Sequence, residues 1–547
     1  MNVRSPQSVA SDGSSAGESK PRRQGDPISG GNAARMSGIR ALFATLVCVC
    51  AFSAPLCAAD LRVVPSPEPP APPLPSERPT VTHHTVEISG RRLAYTAAAG
   101  VLVVRNAADK PLSSMSYVAY TLDHVRDPAH RAVSFVYNGG PGSSTFFLHM
   151  GAFGPKRVVT SNAMTTPPPP YRLVDNESSL LDVSDLVFID APGTGYGRVI
   201  DGHAKEVFGI DQDAAAFADF IQRYITRNER WNSPKFLIGE SYGTTRSANL
   251  VNVLHQRGID CNGVVLLSTA LDYKTIIPAP DNDLPFVLFL PSEAAAAWYH
   301  HALPSAHPDM AAFLADVRRF ALGEYTMALV QGDRLDPAER RRITATLHAD
   351  TGLNQRYIDL ANLRVGPDYF EKELLRDRRR TIGRLDARFL GIDANPNDSQ
   401  PEYDPTDSAL TPVYTVLFNA YTRTELRWNP ALPYRTNDYD EVFKTWDFRR
   451  ENGGFEGKVL APAVTEDLRQ ALSQNPSLRV FTGNGYFDLA TPFAGTEYTI
   501  GHLSLDPTLL GHVEFHYYDS GHLIYEDPAS RRKLSADLRT FIGGLAR

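Results

Sequence analysis

The stretch KFLIGESYGTTRSANL, residues 235–250, decides the fold. An apolar run at 236–238 leads into Gly239, and Ser241 then stands between Gly239 and Gly243 in a G-x-S-x-G spacing. This spacing is typical of a strand that turns sharply into a helix and exposes a serine hydroxyl at the turn. The following TTRSANLVNVLHQ predicts that helix, and its positive end would stabilise negative charge that develops beside Ser241.

Short apolar runs alternate with helical segments on both sides of this stretch. The runs AVSFVYNGGPG, DLVFIDAPGTG, FLIGESYG and GVVLLST are each bounded by glycine or proline, and DQDAAAFADFIQRYIT has one apolar helical face. This alternation predicts a mostly parallel sheet flanked by helices, an α/β fold. The earlier runs HTVEI, RLAYTAAAGVLVV and SYVAYTLD predict an antiparallel start.

The α/β domain is expected to span residues 81–547. Within it, residues from about 285 to 450 are rich in helix formers, arginine and tyrosine, which predicts a mainly helical cap insertion. The β pattern returns afterwards in LRVFTGNGYFD and VEFHYYDSGH. Residues 60–80 include the proline-rich PSPEPPAPPLPSERP, which predicts a stiff, extended linker.

Residues 1–59 have the pattern of an N-terminal extension and a signal peptide. The apolar run 41–54 follows Arg40, and small residues allow cleavage after Ala58 or Ala59. A transmembrane anchor is the alternative, but the run is short for crossing a bilayer. Met36 is a second possible start besides Met1. We therefore expect an exported protein of bacterial type, periplasmic or secreted, with no membrane contact after signal removal.

Net charge and cysteine content limit the functional classes and the disulfides that are expected for this chain. The formal net charge is −7, which argues against a nucleic-acid-binding protein. Three of the four cysteines leave with the signal peptide, so Cys261 alone remains and cannot form an internal disulfide. No metal or cofactor is expected. The sequence leaves the oligomeric state unknown.

A nucleophilic serine needs a base, and the base needs a carboxylate that orients it. After an elbow serine these groups follow in the order Asp and then His, each on a loop after a late strand. Asp488 in VFTGNGYFDLATP and His522 in VEFHYYDSGHLIYEDP meet this condition. His516 is a competing base, although it lies within the predicted strand and not after it.

The stretch YNGGPGSST, residues 137–145, follows an early strand, and its glycines let the main chain approach a ligand. We predict that the N–H groups of Gly140 and of Tyr242 form an oxyanion hole. An ordinary turn is the alternative interpretation of the glycines.

Taken together, these segments resemble the serine carboxypeptidase family. Five blocks match in the family's order: NGGPGSS at 138–144, VFIDAPGTGYG at 187–197, GESYG at 239–243, GYFDLATP at 485–492 and GHLIYEDP at 521–528. The resemblance implies an α/β-hydrolase fold with a Ser241, Asp488 and His522 triad. It implies a hydrolase that releases C-terminal residues from peptides with a free C-terminus.

The resemblance also gives a role to the glutamate beside the nucleophile. It implies that Glu240 and Asn138, assisted by the Gly139 N–H, bind the terminal carboxylate of the substrate. Two carboxylates share a site only when a proton lies between them, so we expect Glu240 to have a raised pKa and the enzyme to favour acidic pH.

The sequence departs from the family pattern at the wall of this site. The family's second glutamate is Ala152 here, and the cysteine usual after NGGPG is Ser143. An esterase or acyltransferase that uses the same triad is therefore an alternative, because an acyl-enzyme accepts several nucleophiles. A non-catalytic binding protein that retains the fold is a second alternative.

Overall fold

The computed structural model describes residues 74–200, 202–450 and 462–546. The expected signal peptide and most of the expected linker lie outside these residues. The described strands are β1 Thr80–Ile88, β2 Arg91–Arg105, β3 Pro111–Leu122, β4 Ala132–Tyr137, β5 Lys156–Val158, β6 Leu173–Asp175, β7 Ser184–Ile189, β8 Arg198–Val199, β9 Lys235–Glu240, β10 Gly263–Leu267, β11 Thr381–Ile382, β12 Leu390–Gly391, β13 Arg479–Gly485 and β14 Val513–Tyr518.

The described α-helices fall between and after these strands, and short 3₁₀ and π turns connect several of them. They are α1 Ile210–Arg227, α2 Tyr242–Gln256, α3 Leu284–Tyr299, α4 Met310–Phe320, α5 Thr326–Gln331, α6 Pro337–Thr351, α7 Gln355–Leu360, α8 Pro367–Glu373, α9 Pro405–Thr424, α10 Thr465–Gln474, α11 Phe493–Gly501 and α12 Pro528–Leu545. None of the described helices is long and apolar enough to cross a membrane.

A mixed, mostly parallel sheet forms the centre of the domain. The strand order is β1-β2-β3-β7-β4-β9-β10-β13-β14, with β8 paired to β3. β1, β2 and β3 are antiparallel to their neighbours, whereas every pair from β7 to β14 is parallel. The predicted fold class is confirmed: an antiparallel start, a parallel sheet with flanking helices, and a helical insertion that contains α3 to α9.

Apart from the edge strand β14, the parallel strands are buried on both faces, as expected for a sheet with helices on each side. Along β4, Val133, Phe135 and Tyr137 pack into one apolar cluster, while Ala132 and Val136 pack into another. A third cluster joins the helices of the insertion to α11. The loops that follow β4, β9 and β13 therefore start from a rigid core.

One buried ion pair joins the two helices that pack beneath the elbow. Asp213 of α1 and Arg246 of α2 have fully buried side chains, and Arg246 Nε donates to Asp213 Oδ2 over 2.6 Å. Burial raises the pKa of Asp213, and the Arg246 charge opposes that rise. The rings of Phe217, Tyr137 and Tyr242 surround the guanidinium, so no water can replace the carboxylate.

We expect Asp213→Asn to lower the free energy of unfolding by about 3–5 kcal/mol, because it leaves the Arg246 charge buried without its carboxylate. Urea denaturation monitored by tryptophan fluorescence measures the change. The matched control is Asp316→Asn, which breaks the exposed pair with Arg319 and should cost less than about 1 kcal/mol. Equal losses in the two variants would contradict the structural importance of the buried pair.

Candidate active site

The G-x-S-x-G segment forms the sharp turn between β9 and α2. Ser241 has φ 60° and ψ −129°, a conformation that costs free energy for any residue with a side chain. A Cβ atom on Gly239 would lie 2.6 Å from the Ser247 hydroxyl, and one on Gly243 would lie 2.9 Å from the Tyr137 carbonyl oxygen. Both flanking positions therefore require glycine, which is the physical reason for the spacing.

The loop after β4 lies directly against this turn. A Cβ atom on Gly139 would lie 2.5 Å from the Tyr242 amide nitrogen and 2.7 Å from that of Gly243. Gly140 follows with φ 107°, in the region that favours glycine. The sequence predicted Gly140 and Tyr242 at the oxyanion hole and Gly139 at the substrate site. The structure brings these three residues to adjoining stretches of main chain.

Arg246 fixes this loop from below. Its Nη1 donates to the Asn138 carbonyl oxygen over 2.8 Å, while Asp213 holds the other side of the guanidinium. Arg246 was not predicted from the sequence, because no local pattern marks its contacts with α1 and with the loop after β4.

Asp488 and His522 form a buried hydrogen-bonded pair. His522 Nδ1 lies 2.7 Å from Asp488 Oδ2. The other carboxylate oxygen of Asp488 accepts from the main-chain N–H groups of Ala490 and Thr491, each over 2.8 Å. The Thr491 hydroxyl donates to Oδ2 over 2.7 Å. These donors stabilise the ionised carboxylate and fix its direction.

Asp488 also sets the charge state of the imidazole. Burial disfavours the protonated form of His522, but the charge and hydrogen bond of Asp488, with a further contribution from Glu240, raise its pKa above the ordinary value. Within the described residues, no hydrogen bond joins Ser241 Oγ to His522. Catalytic hydrogen bonds often tighten only when substrate is bound.

The competing base His516 lies within β14, as the sequence analysis expected. Its ring stacks on Phe481 and lies 3.2 Å from a Glu514 carboxylate oxygen and 3.4 Å from one of Asp537. The structure therefore brings His522, and not His516, to Asp488.

A segment of the insertion, residues 384–388, holds the two loops that carry these groups; we name it the bracing segment. The Leu385 carbonyl accepts from the His522 N–H over 2.6 Å, and the Arg384 carbonyl accepts from the Leu489 N–H over 3.0 Å. The Arg388 guanidinium donates to the Asp519 carbonyl over 3.0 Å. The sequence analysis missed this segment, because no local pattern marks a contact between elements so distant in the chain.

Glu240 is a buried carboxyl group directly before the nucleophile. The Asn138 side chain donates to its Oε1 over 2.5 Å, and the Tyr525 hydroxyl donates to the same oxygen over 3.4 Å. Its Oε2 is buried and has no hydrogen-bond partner among the described residues. A buried carboxyl oxygen is costly without a hydrogen bond, so this atom is available to a polar partner.

The electrostatic surroundings favour the neutral form of this acid. Burial raises the pKa of Glu240 to about 7, and the negative charge of Asp488 adds to the rise. The positive charge of His522 and the hydrogen bonds from Tyr525 and Asn138 oppose it. The sequence analysis expected a raised pKa because a substrate carboxylate would share the site, whereas burial is the main cause in the structure.

Ala152 is buried in an apolar cluster that also contains Tyr414 and Tyr525. A side chain on its neighbour Gly151 would overlap Tyr414 and Tyr525. The Tyr414 hydroxyl donates to the buried carboxyl group of Glu526, whose pKa is raised by burial. Glu526 thus places an acid behind the wall at Ala152, from a different element of the chain. Its role was not predicted from the sequence, although it lies in the block 521–528.

Residues 97–270 match the family model described as serine carboxypeptidase. The matched segment covers less than half of the chain. The segment includes Asn138, Gly139, Gly140 and the 239–243 elbow, and it ends before Asp488 and His522.

A curated relative is the pheromone-processing carboxypeptidase KEX1 of Cryptococcus gattii, which is 32% identical over 120 residues. That match spans 21% of this chain and 17% of the relative, so the chain spans less than a fifth of that protein's length in the aligned region. The carboxypeptidases named in these comparisons are fungal. The bacterial type that the sequence suggested stays a prediction.

Among solved structures, the prohormone-processing carboxypeptidase Kex1 of Saccharomyces cerevisiae has a TM-score of 0.51 and 14% identity, with 82% of this chain and 91% of that chain covered. The likeness shows the α/β-hydrolase fold. A proline iminopeptidase of Mycobacterium smegmatis has a TM-score of 0.32 at 13% identity, with 85% of this chain and 99% of that chain covered.

We expect Glu240→Gln to remove a pH dependence of stability. Because the pKa of Glu240 is about 7 in the folded state, above its ordinary value of 4.5, the native state binds more protons than the unfolded state between these pH values. The free energy of unfolding therefore falls as pH rises from about 4.5 to about 7, by about 3 kcal/mol from this group. Urea midpoints across this pH range measure the slope.

The control for this experiment is Glu87→Gln, which removes an exposed carboxylate from β1 and should keep the wild-type slope. Parallel stability curves for wild type and Glu240→Gln would show that Glu240 is ionised in the native state at acidic pH.

Proposed function

We propose that this chain is an exported serine carboxypeptidase that releases C-terminal residues from peptides through an acyl-enzyme on Ser241. The single observation that carries the proposal is the buried carboxyl group of Glu240, next to the nucleophile, with one oxygen held by Asn138 and the other without a partner within the described ranges. A site of this kind fits a ligand that ends in a carboxylate.

The proposed chemistry uses the groups that follow β4, β9, β13 and β14. His522 takes the proton of the Ser241 hydroxyl as the oxygen attacks the scissile carbonyl, and Asp488 orients and stabilises the resulting imidazolium. The N–H groups of Gly140 and Tyr242 stabilise the oxyanion. His522 then protonates the leaving amine, and water cleaves the acyl-enzyme by the same route.

Specificity for the chain end comes from Glu240 in its protonated form. Its Oε2 would donate a hydrogen bond to the terminal carboxylate, with the Asn138 amide and the Gly139 N–H as further donors. Loss of the Glu240 proton places two negative charges together, so peptide hydrolysis weakens as pH rises through the pKa of about 7. Protonation of His522 limits activity at the acidic end of the pH profile. The two apparent pKa values of that profile belong to Glu240 and His522 together, because the two groups interact.

The proposal includes export of a bacterial-type enzyme. The basis is the apolar run at 41–54 with small residues before position 60, which lies outside the described residues. Cys261, which would be the sole cysteine of the mature chain, is buried and free, so we expect activity that does not respond to reductant.

A fluorophosphonate probe should label Ser241, because a serine activated by His522 attacks phosphorus. Ser241→Ala should abolish labelling and turnover, His522→Ala should lower kcat by about 10⁴ or more, and Asp488→Asn should cost somewhat less. Mass spectrometry of the labelled peptide and steady-state kinetics provide the measurements. His516→Ala is the control and should stay near wild type; a large loss there with an active His522→Ala would refute the assignment of the base.

Glu240→Ala should weaken binding of peptides with a free C-terminus by about ten- to a hundredfold, because one charged hydrogen bond is lost. Glu240→Gln keeps a donor that does not titrate, so the alkaline limb of the pH profile should flatten for peptides. Blocked dipeptides with free and amidated C-termini, assayed beside simple esters, measure both effects. Esters lack the carboxylate and should keep their KM.

If the Glu240 variants bind peptides and esters with equal losses of affinity, Glu240 only stabilises the turn at Ser241. Efficient ester cleavage with no discrimination between free and amidated peptides would instead favour the esterase or acyltransferase alternative.

A further inference from the structure

A cavity of about 450 Å³ opens beside the loop that follows Asp488. Apolar side chains of the insertion and of the loops around it form most of its wall: Ile276, Phe286, Phe289, Tyr369 and Leu489. Arg384 of the bracing segment lines the same cavity. The cavity is large enough for one amino-acid side chain and lies next to the carboxylate that orients His522.

Arg384 carries a positive charge that opposes the rise that burial causes in the pKa of Asp404 and of Glu371. Its side chain is exposed, and no hydrogen-bond or ion-pair partner of its guanidinium is found in the described part of the chain. The other arginine in the wall, Arg364, differs because both oxygens of Asp283 hold it, over 2.6 and 2.8 Å. Arg384 is therefore the cation of this cavity that is available to a ligand.

The main chain of Arg384 is fixed at both ends of the residue. Its N–H donates to Asp404 over 3.2 Å, and its carbonyl accepts from Leu489 over 3.0 Å. The next residue, Leu385, accepts from the His522 N–H over 2.6 Å. The main chain of Arg384 is thus fixed beside the loops that carry Asp488 and the proposed base, and its charge opposes the rise in the pKa of His522.

The order of the strands in the sheet indicates which side of the scissile bond faces this cavity. Asn138 follows β4, which neighbours β9 on one side, whereas Leu489 follows β13, which lies beyond β10 on the other side. If the leaving residue is held at Asn138 and Glu240, as the proposed function has it, the acyl part of the substrate extends toward the β13 loop. The residue before the scissile bond then faces the Arg384 cavity.

We propose that Arg384 binds the carboxylate side chain of an aspartate or glutamate that precedes the scissile bond, so that the enzyme favours acyl groups with an acidic side chain. The proposal rests on the proposed function for the direction of the substrate. Arg384 acts as a specificity-determining residue, because it contacts the substrate side chain and not the reacting atoms.

Asp368 is the one acid in the cavity wall, and it would favour a lysine side chain. It lies in the first turn of α8, and its negative charge acts on the buried Glu371. No main-chain bond ties Asp368 to the loops of Asp488 or His522, whereas Arg384 has such a bond. Preference for a lysine substrate is therefore the result that would contradict the proposal.

The test compares the α-methyl esters of N-acyl glutamate, N-acyl glutamine and N-acyl lysine. The pH is 6, where the free side-chain carboxyl group of the glutamate ester is ionised. Esters have no terminal carboxylate, so they report on Arg384 independently of Glu240. The wild-type kcat/KM should be about tenfold higher for glutamate than for glutamine, and this ratio should fall to about one in Arg384→Gln. Using a ratio within each variant cancels any change in the basicity of His522.

The control Arg341→Gln removes an equally exposed arginine from α6, and it should keep the wild-type ratio. Fluorophosphonate labelling confirms that each variant is folded and has an active serine. A glutamate-to-glutamine ratio near one in the wild type, an unchanged ratio in Arg384→Gln, or fastest cleavage of the lysine ester would each overturn the proposal.

Blocked dipeptides with glutamate or glutamine before a C-terminal phenylalanine separate this inference from the proposed function. If the esters discriminate through Arg384 and no free-ended peptide is cleaved, the carboxypeptidase proposal fails while the role of Arg384 stands. If both peptides are cleaved at equal rates and the esters are not distinguished, the role of Arg384 fails and the carboxypeptidase proposal stands.

Discussion

The site depends on one close approach of main chain to main chain. Gly139 lies against the amide nitrogens of Tyr242 and Gly243, where no side chain fits. This contact sets the separation of the two loops that carry the proposed oxyanion donors. Arg246 maintains it, because its guanidinium reaches the Asn138 carbonyl from α2 while Asp213 neutralises its charge. Backbone contact and buried ion pair together keep the loop after β4 in register with the elbow.

The second half of the site is held by different means. Asp488 and His522 lie on loops after β13 and β14, and the bracing segment connects both loops through main-chain hydrogen bonds. Asp404 caps α9 and also accepts from the N–H groups of Arg384 and Leu385, so the segment is tied to the insertion. The insertion is therefore a structural part of the site and not only a cover over it.

Sequence patterns predicted most of the fold because each pattern is local. Alternating apolar runs and helical faces depend on neighbours in the chain, and so does the glycine requirement around Ser241. The pairing of Asn138 with Glu240 followed from the family resemblance. Arg246, the bracing segment and Glu526 were not predicted, because their roles come from contacts between elements far apart in sequence, with no spacing rule to mark them.

Because the site is assembled from both ends of the domain, its parts arise at different times during synthesis. The elbow and the loop that faces it exist once the ribosome has passed residue 270, whereas the carbonyl that holds His522 comes from residue 385 and the imidazole itself from residue 522. A nascent or truncated chain contains Ser241 without its proposed base. Turnover therefore reports that the whole polypeptide has been made and that its distant segments have come together.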